Sequence, residues 1–505
     1  MKKHFKSLAL CAVLIAVLGS CKKKEDPAPQ GGSSNPSSRL VTKNVTKDTT
    51  WTSSEDISLG GYVYVKSGAT LTIQAGTKIE STIIQSALIV EPGAKIIAIG
   101  TASSPIVFTS GNSNPRRGDW AGLVICGNAM TNNYTSTQPL IEGGLATKYG
   151  SQVTANESVN ADNSGTLSYV RIEYAGYAPI PGSELNGLSL YAVGSGTTIN
   201  HVEVIAANDD SFEWFGGTVN CDHLIAYMGL DDDFDTDNGY SGHVQFGLGV
   251  RSQYIADQSG SKAFESDHDG SANANGPQTL CKFSNMTVVG PVNSMGNLAT
   301  SVAPAKNAAT YVAAMHTRRN SSISLVNSII IGWPTGILID GKSGTSGVTN
   351  ANYVDGTKGV IKNNIIAGIS KNFKANGTSA GTDLRAYDVC SVKEGLGDLT
   401  VVDPVKIADS TQLAWASYAT GPKTFAYNVV NGNKYQYDFA GILVNPFAEF
   451  NPSTYDFRLA PSSPAASGAD FTGLPSDFTT VSYIGAFSTT DWTSGWASFP
   501  MTNNQ

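Results

Sequence analysis

Asn200-His201-Val202-Glu203-Val204, Asp222-His223-Leu224-Ile225-Ala226 and Gly242-His243-Val244-Gln245-Phe246 repeat one pattern, a polar or small residue, a histidine and a mostly apolar tail. The copies stand 22 and then 20 residues apart, a spacing that reads as one rung of a stacked structure per copy. A neighbouring stretch keeps the same register: Asp210-Ser211-Phe212-Glu213 recurs as Asp232-Asp233-Phe234-Asp235 at a shift of 22. A third copy, Ala263-Phe264-Glu265-Ser266-Asp267, follows a polar insertion around residues 254–261. Downstream, Asn285 to Gly290, Asn327 to Gly332 and Asn363 to Gly368 each give an asparagine, four mostly apolar residues and a glycine. Upstream, Gly68, Gly76 and Gly93 each open a strand with two-residue alternation, as in Leu71-Thr72-Ile73.

A chain of 505 residues ordinarily divides into domains, but a repeat array can carry this length as one continuous core. Short Val/Ile-rich strands, 53 glycines and no sustained 3.6-residue period leave a sandwich, a propeller or a β-helix. A rung of about 20–30 residues is too short for a propeller blade of roughly 40–50. The fold class read here is therefore all-β, a single-stranded right-handed parallel β-helix over 43–490. A C-terminal cap over 491–505 is expected to close the last rung, with the Trp492 to Phe499 cluster covering the open strand edge.

Trp120-Ala121-Gly122-Leu123, the Asn-to-Gly rungs and the tail Tyr455-Asp456-Phe457-Arg458-Leu459 through Ser463-Pro464-Ala465 resemble right-handed parallel β-helix proteins of the pectate-lyase-like superfamily. More narrowly, the chain is similar to β-helix lipoproteins of Gram-negative bacteria. The resemblance runs from about Lys43 to the end and implies a polysaccharide as ligand or substrate. Its lyases use calcium on an acidic face with an Arg or Lys base, and its hydrolases pair aspartates. Neither diagnostic motif is spelled out in this chain, so no catalytic residue is carried over. If the chain is an enzyme, a polysaccharide lyase or glycoside hydrolase is the expected class.

At the N-terminus, Lys2, Lys3 and Lys6 precede an apolar run from Leu8 to Leu18 and then Leu18-Gly19-Ser20-Cys21. This is the pattern of a signal peptide over 1–20, and the run is shorter than the about 20 residues a spanning helix needs. Leu-Gly-Ser-Cys resembles a lipobox, which implies lipidation of Cys21, palmitate included. A flexible linker is expected over 21–42, because Pro27 to Ser38 is rich in Pro, Gly, Ser and Asn. An outer-membrane protein held by lipid and facing the cell surface is the expectation from these features, and a monomer is expected.

Without the three leader lysines, 30 basic residues face 41 acidic ones, a net charge of −11 that disfavours nucleic acid as partner. Cys126, Cys221, Cys281 and Cys390 remain after Cys11 and Cys21 are set aside; they show no metal spacing and read mainly as small buried residues.

The second repeat carries the candidate chemistry. Alternation turns Phe212, Phe234 and Phe264 inward and Glu213, Asp235 and Glu265 outward. Neighbouring rungs lie about 4.8 Å apart, where two like charges repel by roughly 3–4 kcal/mol at an effective dielectric of 20. A cation, proton uptake or salt bridges must relieve this. Asp233, Asp235 and Asp237 share a strand face by the same alternation, so Glu213, Asp233, Asp235, Asp237, Glu265 and Asp267 form the candidate calcium set. Arg251, Lys262 and His268 are candidate bases or charge partners, with Arg318 and Arg319 available to the same acids. The stretch is not an EF-hand, since its glycine comes one residue late and its twelfth position is Val244.

His201, His223 and His243 are expected to form an outward stacked ladder, because three imidazoles in a straight row cannot all reach one zinc at about 2.0–2.1 Å. Arg117-Gly118-Asp119 reads as a turn into the strand at Trp120. The function expected is an envelope β-helix that binds or processes a polysaccharide, with calcium as the possible cofactor. The alternative is a non-catalytic adhesin or envelope scaffold.

Overall fold

The computed structural model describes residues 37–180, 182–291, 311–341, 349, 352–353, 358–369, 389–392, 432–436, 439–448 and 451–501. The expected signal segment, Cys21 and most of the linker lie outside these residues, as does the side chain of Cys390.

Parallel strands stack rung on rung into three faces, a parallel β-helix. The front face is a ten-stranded sheet that runs from Tyr62–Val65 to Val389–Val392. The other two faces form one 19-stranded sheet, because the long strands Gly165–Glu173, Thr198–Ile205 and Asn220–Tyr227 run through both. The corner inside each long strand is a single residue in the left-handed region: Tyr169, His201 and His223, with φ of 51°, 51° and 52°. Phe246, Asn285, Asn327 and Asn363 hold that corner downstream, with φ between 51° and 60°. Asparagine recurs there because a short polar side chain tolerates this backbone better than most.

Inside, the expected aromatic stack is present. Phe212 and Phe234 lie 5.6 Å apart and Phe234 and Phe264 5.5 Å apart, ring over ring, and all three are fully buried. Each such pair contributes about 0.5–1.5 kcal/mol beyond its buried area. Tyr169, His201, His223 and Phe246 stack along the corner at 4.3, 4.4 and 5.0 Å. His243 does not join them. The rung there is 23 residues long, so Cys221 pairs with Val244 and His243 falls three positions earlier, against Phe478 and Lys282.

The first rung starts earlier than the composition suggested. Ser37–Val41 pairs in parallel with Glu55–Leu59, inside the stretch read as linker. Arg39-Leu40-Val41 is strand-competent, but its signal is diluted when averaged with the Pro/Gly/Ser run before it.

The C-terminal segment differs more. After the antiparallel pair Leu443–Asn445 and Asp456–Leu459, the chain travels back along the corner toward the N-terminal rungs. Asn327 bonds both the N–H and the carbonyl of Asp470, Gln245 does the same with Thr479, and Asn285 donates to the Tyr483 carbonyl. Trp492 and Trp496 meet His201 edge-on at mid-helix, and Ser498 N–H donates to Glu203. Residues 461–501 are thus a strap along the flank, where a cap over the last rung was expected. The corner asparagines explain it, for their amides bind the strap's backbone more than one another.

Among the described residues, Cys126, Cys221 and Cys281 are buried and form no disulfide. Gly118 takes a left-handed turn conformation, and Arg117 points inward to the carbonyls of Ala207 and Met228.

Candidate functional site

The outer side of the front face changes character along the helix. In the early rungs Ile89, Val124 and Tyr191 are covered by Ile141 and Tyr149 from the loop after Cys126. Beyond that loop, the residues that follow the stacked phenylalanines face outward: Glu213, Asp235 and Glu265 are partners on successive rungs, and His316 continues the row. Asp210 and Asp232 stand two places before the phenylalanines, and Asp209 and Asp231 stand beside them at the corner.

These acids converge. Asp210, Glu213 and Asp235 each bring one oxygen within 4.8 Å of the others; so do Asp232, Asp235 and Glu265, and Asp209, Asp210 and Asp231. Calcium binds oxygens at 2.3–2.6 Å, so two ligands of one ion stand at most about 5 Å apart. The donor set, all hard oxygens, suits that ion. Asp235 supplies the test of fit: its Oδ1 is buried with no hydrogen-bond partner among the described residues, in the middle of two of the three groups. An unmet carboxylate oxygen among other carboxylates is costly without a proton or a cation.

The row is electrically divided. At its far end Lys262 lies 2.8 Å from Glu265, Arg318 lies 2.8 Å from Glu265 and 2.9 Å from Asp267, and Arg319 lies 2.6 Å from Asp267. Burial pushes Glu265 up, yet Arg318, Lys262 and His316 outweigh it and hold the carboxyl at about 2. At the near end no cation pairs with Asp210, Glu213 or Asp235 among the described residues. Burial first, and neighbouring carboxylates second, push all three well above the ordinary range. Asp237 rises to about 7 by burial and Asp267, and Glu142 rises to about 7 by burial and Asp237. Asn186 donates an amide proton to Glu213.

The candidate residues therefore separate. Glu213, Asp235, Asp237, Glu265 and Asp267 lie on the outer face. Asp233 leaves it and bonds Arg251 at 2.7 Å with both side chains fully buried, because it precedes the strand and turns into the corner. Arg251 is consequently sealed from any substrate. Lys262 bridges Asp232 and Glu265, an arrangement that keeps it protonated. His268 is buried, receives the Thr279 N–H at Nδ1 and contacts the Asn132 amide, so it secures a loop.

Four acids outside the candidate set complete the site: Asp209, Asp210, Asp231 and Asp232. The same shift of 22 that aligns Glu213 with Asp235 aligns them in pairs, a signal present in the sequence. Glu142 and His316 had no such signal. The first arrives on a loop some 70 residues upstream, and the second follows Glu265 across a long insertion. His316 lies between Glu265, 3.7 Å from Nδ1, and Asp340, 3.3 Å from Nε2.

A family model described as a pectate-lyase like beta helix domain matches residues 43–397. No curated protein and no solved structure matches the chain.

Proposed function

The chain belongs to the pectate-lyase-like β-helix family, and from that premise we propose that it is a lipid-anchored envelope protein whose acidic front face binds a polysaccharide through calcium. The unpartnered Oδ1 of Asp235, between Asp210, Glu213 and Glu265, is the observation that carries this reading. Those carboxylates would hold the ion, which when bound supplies positive charge for an acidic sugar. Asn186 orients Glu213, and Lys262 and Arg318 fix Glu265 at the edge of the group.

The reading favours binding over cleavage. Arg251, Lys262 and Arg318 are each tied to a carboxylate, and a guanidinium or ammonium so paired has no lone pair with which to take a proton from a sugar. Calorimetric titration of the folded protein with calcium is the test. Saturable uptake that falls by tenfold or more in Asp235→Asn supports the reading, since one charged ligand is worth at least about 1.4 kcal/mol. Absence of uptake by the wild type overturns it, and release of unsaturated sugars from an acidic polymer would turn binding into cleavage.

A further inference from the structure

At its N-terminal end the front face borders a second concavity, a cavity of about 540 Å³. Tyr64 stands in the same outward row as Glu213, four rungs earlier through Ile89, Val124 and Ser189. At about 4.8 Å per rung that is roughly 19 Å. The loop that covers Ile89 and Val124 stands between the two places, so the cavity is not part of the acidic site. One side of this loop carries Glu142 toward the acids, and the other carries Gln138, Thr147 and Lys148 into the cavity wall.

The charges in the cavity do not cancel. Lys66 is paired with Glu91 and lies 5.3 Å from the centre of the Tyr64 ring, which anchors that ring beside the pair. Lys148 is exposed and has neither an ion pair nor a hydrogen bond among the described residues. One positive charge is therefore left over. It sits with the Tyr64 ring, Pro92, Thr147 and Gln138, whose amide nitrogen also donates to the Gly150 carbonyl. Apolar ring faces suit the C–H side of a sugar, the amide oxygen of Gln138 suits its hydroxyls, and the spare ammonium suits an acid group on it.

We propose that this cavity is a calcium-independent subsite for an anionic sugar unit, with Lys148 meeting its carboxylate or sulfate and Tyr64 its ring face. The proposal rests on the polysaccharide reading and adds to it a second contact that needs no metal.

Three oligosaccharides test it by calorimetry, in EDTA and in calcium: an oligogalacturonate, a sulfated oligosaccharide and a neutral cello-oligosaccharide. In EDTA the wild type is expected to bind one or both anionic probes, more weakly as salt is added. Lys148→Glu is expected to cut that binding about tenfold or more, while calcium uptake stays unchanged. Lys148 is exposed, so the variant folds; Tyr64→Phe, which keeps the ring, is expected to retain binding. A preference between the two anions identifies the acid group. Unchanged binding by Lys148→Glu in EDTA, or binding of the neutral probe alone, overturns the subsite but leaves the calcium reading standing. Failure of the wild type to bind any probe, with or without calcium, overturns both. Calcium-dependent binding that Asp235→Asn abolishes, with none in EDTA, overturns only the subsite.

Discussion

Glu213 and Glu265 occupy equivalent places two rungs apart, yet their carboxyls sit in opposite fields. Glu265 is ringed by Arg318, Lys262 and His316, which outweigh its burial and keep it ionised, whereas burial first, and then Glu142, Asp235 and Asp209, make Glu213 favour the proton. Stability follows from this difference. Glu142 and Asp237 titrate at about 7 in the fold, above their ordinary values, so the folded state holds their protons more tightly than the unfolded chain does. The stabilisation this gives is complete in acid and is lost as pH rises through about 7. Calcium-free protein is therefore expected to lose on the order of 2 kcal/mol between about pH 6 and pH 8, seen as a falling Tm in thermal melts. Glu142→Gln should flatten the slope, as should calcium. A Tm that climbs across this interval would refute the assignment of uncompensated acids. The alternation of Phe with Glu or Asp was legible at this scale, because strand period alone decides which side chain faces out. The partners of each acid were not, since they come from other rungs and from a loop.

Among the elements, the strap over residues 461–501 departs furthest from expectation. Trp496 is 1% exposed and packs edge-on against Tyr169 at 5.7 Å and His201 at 5.6 Å, while its carbonyl accepts from Arg171. Its removal is expected to cost about 3–5 kcal/mol at that place. In a solenoid, where each rung leans only on its neighbours, the cost should release the strap and leave the rungs standing. Limited proteolysis of Trp496→Ala, read by mass spectrometry, should cut within 461–501 well before any front-face strand; cleavage at the wild-type rate would count against a docked strap. An aromatic cluster at a chain end satisfies a helix end or a flank equally well by composition. The corner asparagines decided the matter, because left-handed residues aim their amides outward where a passing backbone can bond them.

For the molecule as a whole, the proposed tether is the part to test in cells. Cys21→Ala is expected to abolish incorporation of labelled palmitate and to move the protein from the membrane to the soluble fraction; retention of label would remove Cys21 from that role. The parallel β-helix itself was readable from residues alone, since two-residue alternation and recurrent Asn and Gly at corners are local properties, and a repeat of about 22 residues favours a β-helix rung over a propeller blade. The shift of 22 even carried the register of the acidic rungs. Tertiary structure decided what no local pattern encodes: that Asp233 turns inward to Arg251, that Glu142 joins the acids from a distant loop, that one end of the row is neutralised and the other is not, and that the C-terminal strap lies on the flank. The physical reason is common to all four. Backbone periodicity is set by neighbours in sequence, whereas charge balance and surface coverage are set by neighbours in space.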